Sequence, residues 1–334
     1  MYPLIRPLLF SLEPEAAHAV SMRAVELAAK SGMASLLYPQ INKPVELMGL
    51  KFANRVGLAA GLDKDGEHVD AFGKLGFGFI EVGTVTPKAQ PGNAKPRLFR
   101  LTPAQAIINR MGFNNLGVDH LVEQVRQRRW QGVLGINVGK NASTPLEQAT
   151  DDYRLCIRVA HPYADYLTVN ISSPNTPGLR NLQGADYLRD MAGNLSGLVD
   201  ELNRESNRQV PLLVKIAPDL GPAEIEQIAD ALLQSGVQGV IATNTTLSRD
   251  AVKGMKHAAE AGGLSGAPVR DMSTRVIEQL ANRLQGRLPI IGVGGILCGE
   301  DARQKMDAGA DLVQIYSGLI YRGPGLVRNV AKAL

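Results

Sequence analysis

The chain has 334 residues, a length that fits two ordinary domains or one large α/β barrel. Lysine plus arginine number 36 and aspartate plus glutamate 32, and the net charge of +4 is too small to indicate a nucleic-acid-binding protein. A composition of 45% hydrophobic and 20% charged residues excludes a largely disordered chain, and two cysteines are too few for a disulfide framework or a thiolate metal site.

Residues 1–40 are predicted to form a helical N-terminal segment. Pro14 suits the first turn of a helix, because proline lacks the N–H that would be unpaired there. Four apolar residues between Val20 and Ala28 follow at the spacing of one helix face, and Pro39 ends the segment. Two interpretations stay open: a helical pair packed on the rest of the protein, or a pair whose apolar side enters a membrane surface. No apolar run reaches the roughly 20 residues of a membrane span.

The rest of the chain, residues 41–334, is predicted to be one α/β domain. A small hairpin is expected from Val45 to Phe52. Eight short β-rich runs then alternate with helical segments, and several runs are apolar at nearly every position, as in strands buried on both faces. The runs are Val56–Ala60, Phe79–Gly83, Val133–Val138, Tyr166–Asn170, Leu212–Ile216, Gly239–Thr243, Ile290–Val293 and Leu312–Ile315. This alternation predicts a closed (β/α)8 TIM barrel. A doubly wound open sheet is the alternative, but its glycine-rich fingerprint is missing after the first run.

Polar residues or glycines stand at the ends of all eight runs. In a (β/α)8 barrel the carboxyl ends of the strands meet at one mouth, where active sites lie. A single asparagine or threonine there is explained by a turn or a helix cap, but eight such ends together favour a binding site. The mouth offers neutral donors and acceptors and two lysines, without a histidine pair or a cysteine cluster, so no metal site is expected. Such a set suits a flat polar heterocycle with an anionic group, and the GVGGI sequence of Gly292–Ile296 is typical of a phosphate-binding turn.

A set of motifs resembles the dihydroorotate dehydrogenase family. In chain order they are GLAAGLDKDG (57–66), EVGTVTP (81–87), NRMGFNN (109–115), NISSPNTPGLR (170–180), ATNTT (242–246), GGLSG (262–266), IIGVGGI (290–296) and QIYSG (314–318). Together they span nearly the whole chain. The family divides on its catalytic base, which is cysteine in the soluble class 1 and serine in the membrane-associated class 2. Ser173 stands at that position, and the helical segment 1–40, which class 1 lacks, also resembles class 2.

The resemblance implies oxidation of (S)-dihydroorotate to orotate in pyrimidine biosynthesis, with FMN as the bound cofactor and a membrane quinone as the electron acceptor. The short N-terminus resembles bacterial members. It implies a monomer on the cytoplasmic face of the inner membrane, attached peripherally through residues 1–40, with no nucleic-acid partner.

Individual site residues are also implied by the resemblance. The expected FMN site comprises Ala60, Gly61, Leu62, Asp63, Lys64, Thr84, Asn137, Asn170, Lys215, Thr243, Gly266, Gly295, Tyr316 and Ser317. The expected substrate site comprises Lys64, Asn109, Arg110, Met111, Gly112, Phe113, Asn170, Asn175, Asn244 and Thr245. Ser173 is the expected catalytic base. It is a weak base with no histidine beside it in sequence, so we expect Thr176 or an ordered water to relay its proton. By itself, Ser173 would be an ordinary loop hydroxyl before Pro174.

Three other functions stay open at this level. A flavin-free barrel lyase or isomerase would use Lys215 as a Schiff-base lysine. A non-catalytic membrane-docking protein would leave the polar strand ends without a purpose. Within the family, a class 1-like enzyme would use fumarate or NAD, and Ser173 and the helical segment disfavour it.

Overall fold

The computed structural model describes residues 2–176 and 178–334. Helices α1 (Tyr2–Ser11), α2 (Pro14–Lys30) and α3 (Met33–Leu37) form the N-terminal segment. Pro14 lies in the first turn of α2, as predicted, and the Glu13 carboxylate caps this helix by accepting the Ala16 N–H at 2.9 Å. The predicted hairpin consists of β1 (Val45–Leu47) and β2 (Leu50–Phe52), joined by Met48 and Gly49 at positive φ, as a two-residue type I′ turn requires.

The eight predicted runs form a closed parallel barrel. The remaining strands of the chain are β3 (Val56–Leu58), β4 (Phe79–Val85), β5 (Lys88–Gln90), β6 (Leu98–Leu101), β7 (Ala106–Asn109), β8 (Asn115–Gly117), β9 (Val133–Val138), β10 (Tyr166–Asn170), β11 (Leu212–Ile216), β12 (Gly239–Ala242), β13 (Gly263–Gly266), β14 (Ile290–Val293) and β15 (Leu312–Ile315). The barrel order is β10-β11-β12-β14-β15-β3-β4-β9. The fold class is therefore confirmed. Strand β3 ends two residues earlier than predicted, because the chain turns toward the mouth at Gly61, whose φ is 106°.

Two small antiparallel sheets lie outside the barrel and were not predicted. Strands β5 and β8 form one, and β6, β7 and β13 form the other. In the second sheet Asn109 pairs with Gly263, so residues far apart in the chain are brought to one edge.

Helices surround the barrel on its outer face. They are α4 (Val69–Gly73), α5 (Val118–Arg126), α6 (Ala149–Ala160), α7 (Ala185–Ser206), α8 (Pro222–Ser235), α9 (Arg270–Leu284), α10 (Gly299–Asp307), α11 (Ser317–Arg322) and α12 (Gly325–Ala333). The apolar stripe of α7, which includes the buried Leu188, Leu195 and Val199, illustrates how each long helix covers the strands.

The amino end of the barrel is closed by apolar side chains. Phe52 from the hairpin packs edge to face on Phe79 of β4, with ring centroids 5.3 Å apart, and Tyr166, Leu213 and Ile291 belong to the same cluster. Because this end is filled, a ligand can enter the barrel interior only from the carboxyl ends of the strands.

Candidate active site

A pocket opens at the carboxyl ends of the barrel strands. It encloses about 1030 Å³, including the part open to solvent. Most of the sequence-predicted residues line it. They are Ala60, Gly61, Lys64, Thr84, Asn109, Met111, Gly112, Phe113, Asn170, Ser173, Asn175, Lys215, Thr243, Asn244, Thr245, Gly266, Gly295, Tyr316 and Ser317.

Four residues of the expected FMN and substrate sites do not line the pocket, and neither does Thr176, the expected proton relay. Leu62 is part of the hydrophobic core. The Asp63 carboxylate accepts the backbone N–H groups of Glu67 and His68 at 3.0 and 2.9 Å, and burial raises the pKa of this carboxyl to about 6. Arg110 points away from the pocket to Glu260, with an N–O distance of 2.7 Å. Asn137 is fully buried beneath Thr84. These four side chains lie behind or beside the pocket lining.

The lining also contains residues that lie in the quoted motifs but were not named as expected site residues. They are Ala59, Pro174, Ser265, Val293, Gln314 and Ile315. Gln314 could have been predicted as a site residue, because it is the single polar residue of the otherwise apolar strand β15. Ser265 lies within the GGLSG motif (262–266), but its position on the pocket wall depends on the pairing of β13 with β7.

A chain of hydrogen bonds crosses the floor of the pocket. The Thr84 hydroxyl donates to Asn137 Oδ1 at 2.6 Å, and the Asn170 amide donates to the Thr84 hydroxyl at 2.8 Å. The Asn244 amide lies 3.5 Å from Asn170 Oδ1 and 3.0 Å from the Ser172 hydroxyl. These bonds fix the orientation of each carboxamide. The pocket therefore presents its hydrogen-bond donors and acceptors in a fixed arrangement before a ligand binds.

Glu81 lies below this floor and is fully buried. Its carboxylate accepts hydrogen bonds from the Asn137 amide at 2.8 Å, from the Tyr166 hydroxyl at 2.9 Å and from the Gln314 amide at 2.9 Å. A carboxylate in the middle of an apolar strand is an unusual sequence feature, and it is explained by these neutral donors.

Two lysines line the pocket, the buried Lys215 and the partly buried Lys64. Burial lowers the pKa of Lys215, and the negative charge of Glu81 opposes that shift. Burial likewise lowers the pKa of Lys64, against the charge of Asp65. In a site of low dielectric, each ammonium stabilises a nearby negative group far more than it would in water.

Glycine backbone forms the opposite wall. Gly295 and Gly266 have φ values of 74° and 94°. A Cβ on Gly295 would lie 2.3 Å from the Arg270 Cβ, and one on Gly266 would lie 2.2 Å from the Gln105 carbonyl oxygen. Beside them, the hydroxyls of Ser265 and Ser317 are 2.7 Å apart. A backbone exposed by glycines next to two hydroxyls fits a phosphate group.

The N-terminal segment packs beside the mouth. The Glu15 carboxylate receives Arg97 Nε and Nη2 at 2.9 and 3.1 Å, and the Arg97 side chain is 8% exposed. His18 lies near Lys64, and burial together with the charge of Lys64 lowers the pKa of His18 to about 4. The outer face of the segment exposes Leu4 and Leu36 (both 81%), Leu8 (71%) and Leu27 (69%). An apolar patch of this kind is typical of an interaction surface.

Residues 2–176 and 178–334 hold neither a membrane-spanning helix nor a metal-binding cluster. No helix there combines the length and the hydropathy that crossing a bilayer requires. Nor does that part of the chain hold three or more His, Cys, Asp or Glu side chains arranged to bind a metal ion.

Comparison with known proteins gives consistent matches. The family model described as dihydroorotate dehydrogenase matches residues 43–334. The chain is similar to the dihydroorotate dehydrogenase (quinone) of Ralstonia nicotianae, with 57% identity covering 100% of this chain and 98% of the relative. It is similar to the protein of that name from Aeromonas hydrophila subsp. hydrophila, with 58% identity covering 99% and 98%. A crystal structure of DHODH from Eimeria tenella in complex with ferulenol matches with a TM-score of 0.87 and 39% identity, covering 98% of this chain and 93% of that one.

Proposed function

Because this chain belongs to the dihydroorotate dehydrogenase family, we propose that it is a class 2, quinone-reducing member that oxidises (S)-dihydroorotate to orotate with FMN bound in the pocket. The observation that carries this proposal is the convergence of Ser173, Lys64, Lys215 and the asparagines on one pocket at the barrel mouth. The reaction is a step of pyrimidine biosynthesis.

The residues of the pocket fit FMN. The glycine wall at Gly266 and Gly295, with the Ser317 hydroxyl, would hold the phosphate. Lys215 is the buried cation that would face the electron-rich edge of the isoalloxazine ring. When bound, FMN would supply the acceptor for the hydride that leaves C6 of dihydroorotate.

The remaining polar groups suit the substrate. Dihydroorotate carries a carboxylate and an imide edge, which need a cation and alternating donors and acceptors. Lys64 supplies the cation, while Asn109, Asn170, Asn175 and Asn244 each supply a donor and an acceptor. Since the Asn170 and Asn244 amides are already oriented by their neighbours, little ordering is left for the binding step.

Ser173 takes the proton that leaves C5 of dihydroorotate. Its side chain is buried on the pocket wall, 6% exposed, beside Asn175. A serine hydroxyl accepts this proton only if its own proton moves on, and Thr176 or an ordered water remains our prediction for that relay. Loss of the C5 proton and the C6 hydride leaves the C5–C6 double bond of orotate.

The N-terminal segment is proposed as the membrane contact and the quinone entrance. Relatives at 57–58% identity are named as quinone enzymes, and a lipid-dissolved quinone needs an apolar path to the pocket. The exposed leucines of α1 to α3 would enter the bilayer surface, with Arg6, Arg23 and Lys30 at the headgroups. We place this monomer on the cytoplasmic face of a bacterial inner membrane, with residues 1–40 as the membrane segment and 41–334 as the catalytic domain.

The decisive experiment is an assay of the purified protein with dihydroorotate and a long-tailed quinone. We expect a yellow protein with flavin absorbance that reduces the quinone only when dihydroorotate is present, with fumarate and NAD as poor acceptors. A colourless protein would favour the flavin-free lyase or isomerase. Faster turnover with fumarate or NAD than with the quinone would place the enzyme in class 1 instead.

A further inference from the structure

Arg180 is not part of the pocket lining, but its guanidinium contacts both loops that carry the proposed reacting groups. Its Nε donates to the carbonyl oxygen of Ser172 at 3.2 Å, and its Nη2 donates to the carbonyl oxygen of Thr245 at 2.8 Å. Ser172 immediately precedes Ser173, and Thr245 immediately follows Asn244. One side chain therefore joins the backbone beside the proposed base to the backbone beside a proposed substrate ligand.

A third loop holds this guanidinium in place. Arg180 Nη1 lies 2.7 Å from Asp219 Oδ2, on the loop that follows β11. Asp219 also accepts a hydrogen bond from the Thr246 hydroxyl and one from the Leu247 N–H, whose distance to Oδ2 is 3.1 Å. The Arg180 and Asp219 side chains are 19% and 23% exposed, so solvent screens their attraction less than it screens a pair on the open surface. The loops after β10, β11 and β12 are thereby linked through one ion pair.

The geometry requires arginine. A guanidinium is planar and carries five donors in a fixed fork, so it reaches two carbonyl oxygens and a carboxylate at once. A lysine ammonium at the same position would keep the charge but could not span the three acceptors.

We propose that Arg180 is a positioning residue of dihydroorotate oxidation, which sets the distance between the Ser173 hydroxyl and the substrate held by Asn244 and Thr245. The inference rests on the proposed function. The Asn244 amide has its own bonds to Asn170 and to the Ser172 hydroxyl, so loss of Arg180 displaces the base relative to C5 more than it displaces the groups that bind the substrate. Misplacement of a reacting group by about 1 Å can lower the rate about 10²-fold. Loss of the Arg180 side chain is therefore expected to slow proton removal more than it weakens substrate binding.

The test compares Arg180→Ala, Arg180→Lys and Asp219→Asn with the wild-type holoenzyme. We expect Arg180→Ala to slow flavin reduction by dihydroorotate about 10- to 100-fold in stopped flow, while FMN content and orotate affinity change less than threefold. The deuterium isotope effect of substrate labelled at C5 should rise, because removal of the C5 proton becomes the slow step, and the effect of C6 label should not rise with it. Arg180→Lys should recover only part of the rate.

The matched control is Arg189→Ala. Arg189 also forms ion pairs, with Asp186 and Asp190, but it lies on the exposed face of α7 and should leave the rate and the isotope effects unchanged. A wild-type rate in Arg180→Ala would overturn the inference, and so would an equal loss of rate and orotate affinity with an unchanged C5 isotope effect. If Arg180→Ala does not fold, Asp219→Asn decides by the same two readouts. A wild-type holoenzyme that dihydroorotate does not reduce would overturn the proposed function, and this inference with it.

Discussion

The Ser173 hydroxyl accepts a hydrogen bond from the backbone N–H of Asn175 at 3.2 Å, and the Asn175 side chain donates to Asn109 Oδ1 at 3.2 Å. The serine oxygen is thus oriented by its own loop, and that loop is tied to the end of β7. The pocket does not depend on the hydroxyl for its shape, because Asn175 keeps its bond to Asn109 without it.

Ser173→Ala should therefore keep the FMN and bind orotate, but lose turnover by roughly 10²–10⁴-fold, the usual contribution of a general base. Flavin absorbance, orotate titration and stopped-flow reduction by dihydroorotate measure the three quantities. Ser248→Ala, which removes a hydroxyl that pairs with Asp250 away from the lining, serves as the control. Turnover near that of wild type would show that the C5 proton leaves through another group.

Lys215→Met should lower the two-electron midpoint potential of the bound FMN or weaken its retention. The substitution keeps the length of the stem and removes the buried positive charge. A loss of about 1.4 kcal/mol in the stability of the anionic reduced form would lower the potential by about 30 mV. Lys140→Met is the control, because the Lys140 ammonium donates to the carbonyl oxygens of Asn141 and Thr144 outside the pocket. An unchanged potential with full FMN content would contradict the role of Lys215.

The membrane role of the N-terminal segment is best tested without deleting it. Removal of residues 1–40 would leave the buried Arg97 without the Glu15 carboxylate and would uncover the body beneath the buried Met22. The exposed leucines Leu4, Leu8, Leu27 and Leu36 can instead be changed together to glutamine, because their side chains face outward in the protein.

We expect this fourfold variant to oxidise dihydroorotate with a soluble dye at the wild-type rate. Its binding to liposomes and its reduction of a long-tailed quinone should fall at least tenfold, since each leucine that enters the bilayer contributes roughly 1.5–3 kcal/mol. Leu155→Gln, at an exposed leucine of α6, is the control. If the fourfold variant reduces the long-tailed quinone like the wild type, the quinone reaches the flavin by another route.

The buried Lys305 should make the free energy of unfolding depend on pH. Its fully buried ammonium donates to the Arg270 carbonyl oxygen at 3.0 Å and to the Thr274 hydroxyl at 2.8 Å, and burial lowers the pKa of Lys305 to about 7. The unfolded chain has the ordinary lysine pKa of about 10.4. Between these two values the unfolded state binds a proton that the native state lacks, so this group raises the free energy of unfolding as the pH rises from about 7 toward 10.

In Lys305→Met that contribution disappears. Urea unfolding of the FMN-saturated protein at pH 7, 8 and 9 should show a smaller rise with pH than the wild type, by one to a few kcal/mol, since one pKa unit corresponds to about 1.36 kcal/mol. Lys332→Met, at an exposed lysine of α12, should follow the wild-type curve. Parallel curves for Lys305→Met and the wild type would show that Lys305 is protonated in the native state throughout.

Part of this protein was predictable from local pattern. Apolar runs such as Val133–Val138 mark strands buried on both faces, and all eight runs became barrel strands. The residues that end those strands, including Asn170 and Lys215, were correctly expected at one mouth, because parallel strands bring their carboxyl ends together. The hairpin was also predictable from local sequence, since its turn is specified by the two adjacent residues Met48 and Gly49.

The sequence by itself determined the barrel, the location of the site and the family, because strand periodicity and motif order are properties of neighbouring residues. Tertiary structure alone decided which side chains line the pocket. Outside the pocket lining, Leu62 joins the core, Asn137 lies beneath Thr84, Asp63 accepts backbone N–H groups and Arg110 pairs with Glu260. Tertiary structure also made Glu81 and Gln314 partners although 233 positions separate them in the chain. The physical reason is that a buried polar group needs a hydrogen-bond partner, and closure of the barrel, which no local pattern encodes, determines which residue that partner is.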